Sequence, residues 1–254
     1  MALAKPIIIM RHQADQGYPA MSCEGTGEIS ASIQKAHSLW SITSTLSDGA
    51  TLRWDDQHGD EAIYVVEGEI SVEGAICSAR DSVVIESGVP TELRAVGKVR
   101  LVHFGCIDPV PPTEGPLGPA DPDNHAVRIV SEEKAQFLRQ VSPDGATYDQ
   151  YFYADSSSPT SRMAIFSVAA SKPSKVPPHY HTQDEIIHVL QGTLHIGTQQ
   201  VSVGEGVSVK ANTLYSFFTK EPVEFLNYRN NASYVYSEGK LPVLELAENA
   251  DGMD

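Results

Sequence analysis

His179-Tyr180-His181-Thr182-Gln183-Asp184-Glu185, followed by Gly192 and then by Gly204-Glu205-Gly206, is the stretch that decides how this chain is read. Successive side chains of a β-strand point to opposite faces, so His179 and His181 share one face, roughly 7 Å apart along the strand. The turn Thr182-Gln183-Asp184 then lets Glu185 approach from the next strand. Two imidazoles and one carboxylate can hold a single divalent metal and leave positions open on it, which is a catalytic arrangement more than a structural one. Such a set suits non-haem Fe(II), with manganese, nickel, zinc or copper as alternatives.

The chain also repeats itself. Asp60-Glu61-Ala62-Ile63-Tyr64-Val65-Val66-Glu67-Gly68 parallels Asp184-Glu185-Ile186-Ile187-His188-Val189-Leu190-Gln191-Gly192 at an offset of 124 residues. With that shift and no gaps, Asp81 meets Glu205, Val83 meets Val207, Val99-Arg100-Leu101 meets Val223-Glu224-Phe225, and Phe104 meets Tyr228. A copy of this length can close its own core, so the period indicates two similar domains rather than a solenoid. Short runs rich in strand formers alternate with turn residues, as at Ser47-Asp48-Gly49, Glu67-Gly68 and Ser87-Gly88-Val89-Pro90, which is the spacing of a barrel or sandwich.

His179-x-His181-x3-Glu185-x6-Gly192 resembles the first motif of the cupin superfamily residue for residue. The second cupin motif, Gly-x5-Pro-x-Gly-x2-His-x3-Asn, is matched only at Gly204: Lys210 stands at the Pro, Asn212 at the second Gly, Tyr215 at the His and Thr219 at the Asn. The resemblance covers most of the chain and implies an all-β bicupin of two tandem jelly-roll barrels with few short helices. The expected boundaries are residues 1–106 for an N-terminal barrel with a degenerate metal motif, 107–124 for a linker, and 125–254 for a C-terminal barrel similar to that of quercetin dioxygenases. His179, His181 and Glu185 are the metal ligands the resemblance implies, with Tyr215 at the place of the fourth. A phenol binds a metal readily only as phenolate. Tyr215 is therefore expected to donate a hydrogen bond to a metal-bound substrate, the alternative being that it packs the barrel mouth with Phe217 and Phe218.

At the matching positions the N-terminal copy carries Asp55, Gln57, Glu61 and Thr91. That set has no imidazole and is poor for iron or zinc, so this copy is expected to be a scaffold. His58, one residue off the ligand register, and His103 are read as core or surface histidines, with His103 kept as an alternative ligand or substrate contact. In the C-terminal copy parity turns Ile187 and Val189 inward with Glu185, and His188, His195 and Tyr180 the other way.

The linker, from Ile107 to Asn124, holds Pro109, Pro111, Pro112, Pro116, Pro119 and Pro122, which stiffen it toward an extended form. Ile7-Ile8-Ile9 predicts an added strand ahead of the first barrel. Ser131-Glu132-Glu133-Lys134 predicts a short helix through Gln140, with Ser131 as N-cap. Residues 239–254 read as a loosely held acidic tail in which Leu241 to Leu246 could pack on a neighbour. At 254 residues, 41% hydrophobic and 20% charged, the chain can bury two cores. No apolar run nears the length of a membrane span. The opening Met1-Ala2-Leu3-Ala4-Lys5-Pro6 passes too soon into polar residues for a signal peptide, which makes the cytoplasm the default location. Cys23, Cys77 and Cys106 are spaced for neither zinc nor disulfides and read as reduced thiols. A net charge of −15 excludes nucleic acid and anionic membranes as partners. What remains is a small-molecule protein, with a homodimer as a way to cover open sheet edges. The expected activity is that of a metal-dependent non-haem dioxygenase on a small aromatic or partly apolar substrate, against an apolar wall of Ile187, Val189, Val207, Val209 and Phe217. The alternatives are a cupin isomerase or lyase, and a non-catalytic small-molecule-binding bicupin.

Overall fold

A computed structural model describes residues 5–12, 17–19, 22–107, 126–141, 145–155, 163–231, 234–237 and 243–244. The fold is all-β: among the described residues there are strands and turns and no helix, and the strand pairs are antiparallel. Among the described residues no helix is long and apolar enough to cross a membrane.

The chain divides into two units. In the first, a nine-stranded sheet runs in the order Val127–Val130, Ser82–Ile85, Glu61–Val72, Thr91–Cys106, Leu39–Leu46 and Ile29–Ala36. Cys23–Thr26 pairs with Thr51–Trp54, which pairs with the long strand Thr91–Cys106, and Ala75–Ser78 pairs with Glu61–Val72. Its core gathers Leu46, Leu52, Ile63, Val65, Val83 and Leu101. In the second unit, a seven-stranded sheet has the order Ile7–Met10, Gly206–Val209, Glu185–Gln191, Val223–Arg229, Ala164–Ala170, Thr147–Ala154 and Gln136–Val141. A six-stranded sheet has the order Gln199–Ser202, Thr193–Ile196, Tyr215–Thr219, Lys175–His181, Tyr234–Ser237 and Val243–Leu244. One core cluster joins Phe166, Ile187 and Val207 of the first of these sheets to Leu194, Val201 and Phe217 of the other. The sheets are open and none closes on itself, in contrast to the closed barrels expected from sequence.

The repeat is visible in the ladders. Glu61 faces Ile85 and Ile63 faces Val83, while Glu185 faces Val209 and Ile187 faces Val207. Val65 N–H donates to Asp81 O at 3.0 Å, and Val189 N–H to Glu205 O at 3.0 Å. Gly68 and Gly192 have φ of 83° and 73°. A Cβ on either would meet the carbonyl oxygen of Lys98 at 2.5 Å or of Pro222 at 2.4 Å, so both turns require glycine.

Two expectations about element placement are corrected. Ile7–Met10 forms the added strand, but it pairs with Gly206–Val209 of the second unit and does not join the first. Val127–Val130, expected in the C-terminal domain, pairs with Ser82–Ile85 of the first unit. The two edge strands occupy matching places, Ile7 opposite Val209 and Val127 opposite Ile85. An open sheet edge accepts whichever strand the chain can deliver, and sequence order does not decide which. The helix expected from Ser131 to Gln140 is a single turn, in which the N–H groups of Lys134 and Ala135 donate to Ser131 O at 2.9 Å, followed by the strand Gln136–Val141. The turn does not propagate, because Gln136–Val141 is taken up as the edge strand beside Thr147–Ala154 in the seven-stranded sheet.

The linker expectation for residues 108–124 lies outside the described residues, as does the tail apart from Val243–Leu244, which pairs with Tyr234 and Val235. Cys23, Cys77 and Cys106 are free thiols.

Candidate functional site

The strand Lys175–His181 lies against Tyr215–Thr219 with His179 opposite Tyr215. In the other sheet of the same unit Glu185 lies opposite Arg229, and Ile187 opposite Asn227. Strand alternation then projects Glu185, Asn227 and Arg229 from one face, which meets the histidine strand across the core. His179 is 8% exposed, His181 5%, Glu185 0%, Tyr215 5% and Arg229 2%. The two imidazoles meet edge to face at 5.0 Å between centroids, and the His179 ring is 4.4 Å from that of Tyr215. The four sequence-selected residues are thus brought together. Asn212 stands where the motif has glycine and adopts φ of 60°, a left-handed conformation that asparagine tolerates; its N–H donates to His181 O at 2.7 Å.

The carboxylate is surrounded by donors. The Tyr215 hydroxyl donates to Glu185 Oε1. Asn227 Nδ2 donates to Oε2 at 3.0 Å, and Arg229 reaches the same oxygen through Nη2 at 3.0 Å and Nε at 3.3 Å. His181 Nε2 is 3.6 Å from Oε2 and 3.4 Å from Arg229 Nη2. Burial alone would raise the Glu185 carboxyl, but the neighbouring His181 and Arg229 and the hydrogen bonds from Tyr215 and Asn227 outweigh it and hold the pKa at about 2. Burial, with Arg229 and His179 adding to it against Glu185, lowers His181 to about 3. His181 is therefore neutral at neutral pH, and Arg229 is the cation that matters to Glu185. Burial and the nearby carboxylate push Tyr215 well above the ordinary phenol value, so it remains a donor. That proton is directed at Glu185.

His179 Nδ1 is 2.8 Å from Pro177 O, which places the proton on Nδ1 and leaves the Nε2 lone pair for a ligand. A metal requires neutral imidazoles and an ionised carboxylate, and His181 and Glu185 meet that chemistry. Their placement is a separate matter. Among the described residues no three His, Cys, Asp or Glu side chains stand close enough together to hold an ion, because Glu185 is turned to Tyr215, Asn227 and Arg229. The set fits a divalent cation in donor type and protonation, and Glu185 would reach it by giving up one of those donors.

Asn227 and Arg229 were missed by sequence reading. Their signal was present: Val223, Phe225, Asn227 and Arg229 alternate on one strand face, so an inward face that begins apolar ends polar beside Glu185. His188 is buried on the face opposite Ile187 and Val189, and His195 stacks on Phe218 at 4.9 Å. In the first unit Asp55 and Gln57 are exposed and do not join Glu61, while Thr91 Oγ1 lies 3.4 Å from Glu73 Oε1. His58 bridges the carbonyls of Gly59 and Val89 at 2.7 and 3.0 Å. His103 is buried with Nε2 2.8 Å from Glu61 Oε2.

No protein-family model matches the chain, and no curated protein is similar to it in sequence. Its fold is similar to that of a protein described as glyoxylate-induced from Pseudomonas aeruginosa, with TM-score 0.64 and 14% identity over 89% of this chain and 88% of that one. It is also similar to protein Ylba from E. coli, with TM-score 0.62 and 12% identity over 88% of this chain and 89% of that one. A single-site variant of oxalate decarboxylase from Bacillus subtilis gives TM-score 0.59 and 12% identity over 88% of this chain and 79% of that one. These neighbours are cupin-fold proteins, and at such identities the likeness is one of fold.

Proposed function

We propose that the chain is a bicupin, a pair of cupin-like units, whose second unit is a divalent-metal site acting on a small organic substrate. His179, His181 and Glu185 are the residues that would hold the ion. The observation that carries this reading is geometric: His179 and His181 meet edge to face at 5.0 Å in the same buried pocket as Glu185, whose Oε2 is 3.6 Å from His181 Nε2. When bound, the ion supplies Lewis acidity and a template for orientation. Tyr215 and Asn227 fix the carboxylate, and Arg229 balances its charge within the core. The apolar residues Ile187, Val189, Val207, Val209 and Phe217, all buried in the same core, favour an aromatic or partly apolar substrate. Within this reading the activity is that of a cytoplasmic non-haem dioxygenase with Fe(II). Manganese is the next choice, since the oxalate decarboxylase neighbour has Mn(II) centres.

A second reading rests on the Arg229–Glu185 ion pair. In it the guanidinium is the cation of the site, and the unit binds a small molecule without metal or catalysis.

Elemental analysis of purified protein, followed by oxygen uptake against phenolic and diketone compounds, separates the two. Stoichiometric metal that disappears in His179→Ala together with oxygen consumption is the expected result. Bound metal without oxygen uptake moves the activity to isomerase or lyase chemistry. Metal-free protein whose ligand binding survives His179→Ala leaves the second reading.

A further inference from the structure

We infer that Arg229 is a built-in competitor of the metal: its guanidinium and a divalent ion exclude each other at Glu185, so that loading the site exchanges one cation for another. This exchange rests on the metal reading above and names the residue that governs it. Arg229 Nη2 lies 3.0 Å from Glu185 Oε2 and 3.4 Å from His181 Nε2. A guanidinium carries donors and no acceptor, so the imidazole nitrogen facing it is the one that keeps its lone pair. The carboxylate oxygen and the imidazole nitrogen, two of the three donor groups a metal would use, thus converge on one cationic nitrogen. They stand 3.6 Å from each other, beyond hydrogen-bond length, and the guanidinium is the partner they share.

Burial makes the two cations exclusive. Glu185 and Arg229 are both buried, and little water is present there to screen a guanidinium from a dication on the same oxygen. Tyr215 and Asn227 bond the carboxylate without charge, so it is held whichever cation it faces. Arg229 has another place to rest. It is the last residue of the strand Val223–Arg229, with bends at residues 230 and 231, and the small side chain of Ala164 stands opposite it. Its guanidinium lies 5.5 Å from the centre of the Phe166 ring, a face that attracts a cation released from Glu185. The repeat gives an independent reason. At the 124-residue offset Arg229 corresponds to Gly105, where the Trp40 ring fills the space a side chain would need. The fold therefore requires no cation at this position, and the guanidinium belongs to the site.

The test uses the full chain freed of metal by chelation, with Mn(II) as the probe. Binding is read as loss of the free ion's electron paramagnetic resonance signal, and urea midpoints are taken with and without Mn(II). Arg229→Met should bind Mn(II) about tenfold tighter than the wild type, or more, and Mn(II) should raise its urea midpoint by more. Arg229→Lys keeps the charge and should stay near wild-type affinity. Adding His179→Ala to Arg229→Met should abolish the gain. In the wild type, Zn(II) should shift the Arg229 Nε–H resonance and speed its exchange with solvent, the resonance being assigned by its absence from Arg229→Lys. That measurement holds even where Arg229→Met fails to fold. Cation exchange alone is overturned, with the metal reading left standing, by any of three results: Mn(II) binding no tighter in Arg229→Met than in the wild type, equal tightening in Arg229→Lys, or an unmoved Nε–H signal at saturating Zn(II). A gain that survives His179→Ala, or no Mn(II) binding by any of these chains, overturns it together with the metal reading.

Discussion

At the scale of single residues, the second unit is organised around one carboxylate that never becomes neutral under ordinary conditions. The consequence for pH follows from two signs. Glu185 is depressed from 4.5 to about 2, so its contribution to stability is present above the unfolded value and lost as pH falls through that window. His181 is lowered from 6.5 to about 3, so the unfolded chain takes up that proton first and the folded state loses ground as pH falls below 6.5. Both act in the same direction. Urea midpoints measured from pH 7 downward should decline steadily, and His181→Gln should flatten the part between about pH 6.5 and 4.5. Arg229→Met leaves Glu185 buried beside neutral groups and should destabilise the unit by ~3 kcal/mol or more, while adding Glu185→Gln should restore much of the loss in the same denaturation assay. Sequence reading found His179, His181 and Glu185 because local spacing on two consecutive strands carries them, and Tyr215 because it stands at a place of the second motif. It missed Arg229, 44 residues beyond Glu185, because only the cross-strand register brings the guanidinium opposite the carboxylate.

At the scale of elements, turns and edges divide the labour. Gly192→Ala sets a Cβ against Pro222 O from a left-handed backbone and should cost about 2 kcal/mol or more, read as a shift in the unfolding midpoint. Gly68→Ala should behave alike in the first unit. The strand Ile7–Met10 covers the edge of Gly206–Val209, buries Met10 and packs Ile7 and Ile9 on the core. Removing residues 1–11 should destabilise the second unit and promote association through the bared edge, detected by light scattering. Tryptophan emission, which arises from the first unit alone, should keep its native maximum in the same sample. The identity of that edge strand was not legible in the sequence. Three isoleucines announce a strand, but nothing local says which of two similar edges it will occupy.

At the scale of the whole molecule, the repeat was the most legible feature, because matching apolar positions at one offset reappear as matching ladder registers and paired glycines. Sheet closure was less legible, since hydrophobic alternation fixes which face is inside and says nothing of whether the last strand meets the first. The two copies keep one buried carboxylate each and treat it differently, Glu61 under Trp54 and His103, Glu185 under Tyr215, Asn227 and Arg229. Divergence after duplication has therefore acted on the partners of a retained acid more than on the scaffold.

The placement of the two edge strands also sets a timetable for biosynthesis. The ribosome releases residues 7–10 well before their partner strand at 206–209. Nascent chain must keep an isoleucine-rich segment from mispairing until that partner appears, while the first unit waits for residues 127–130 to complete its sheet.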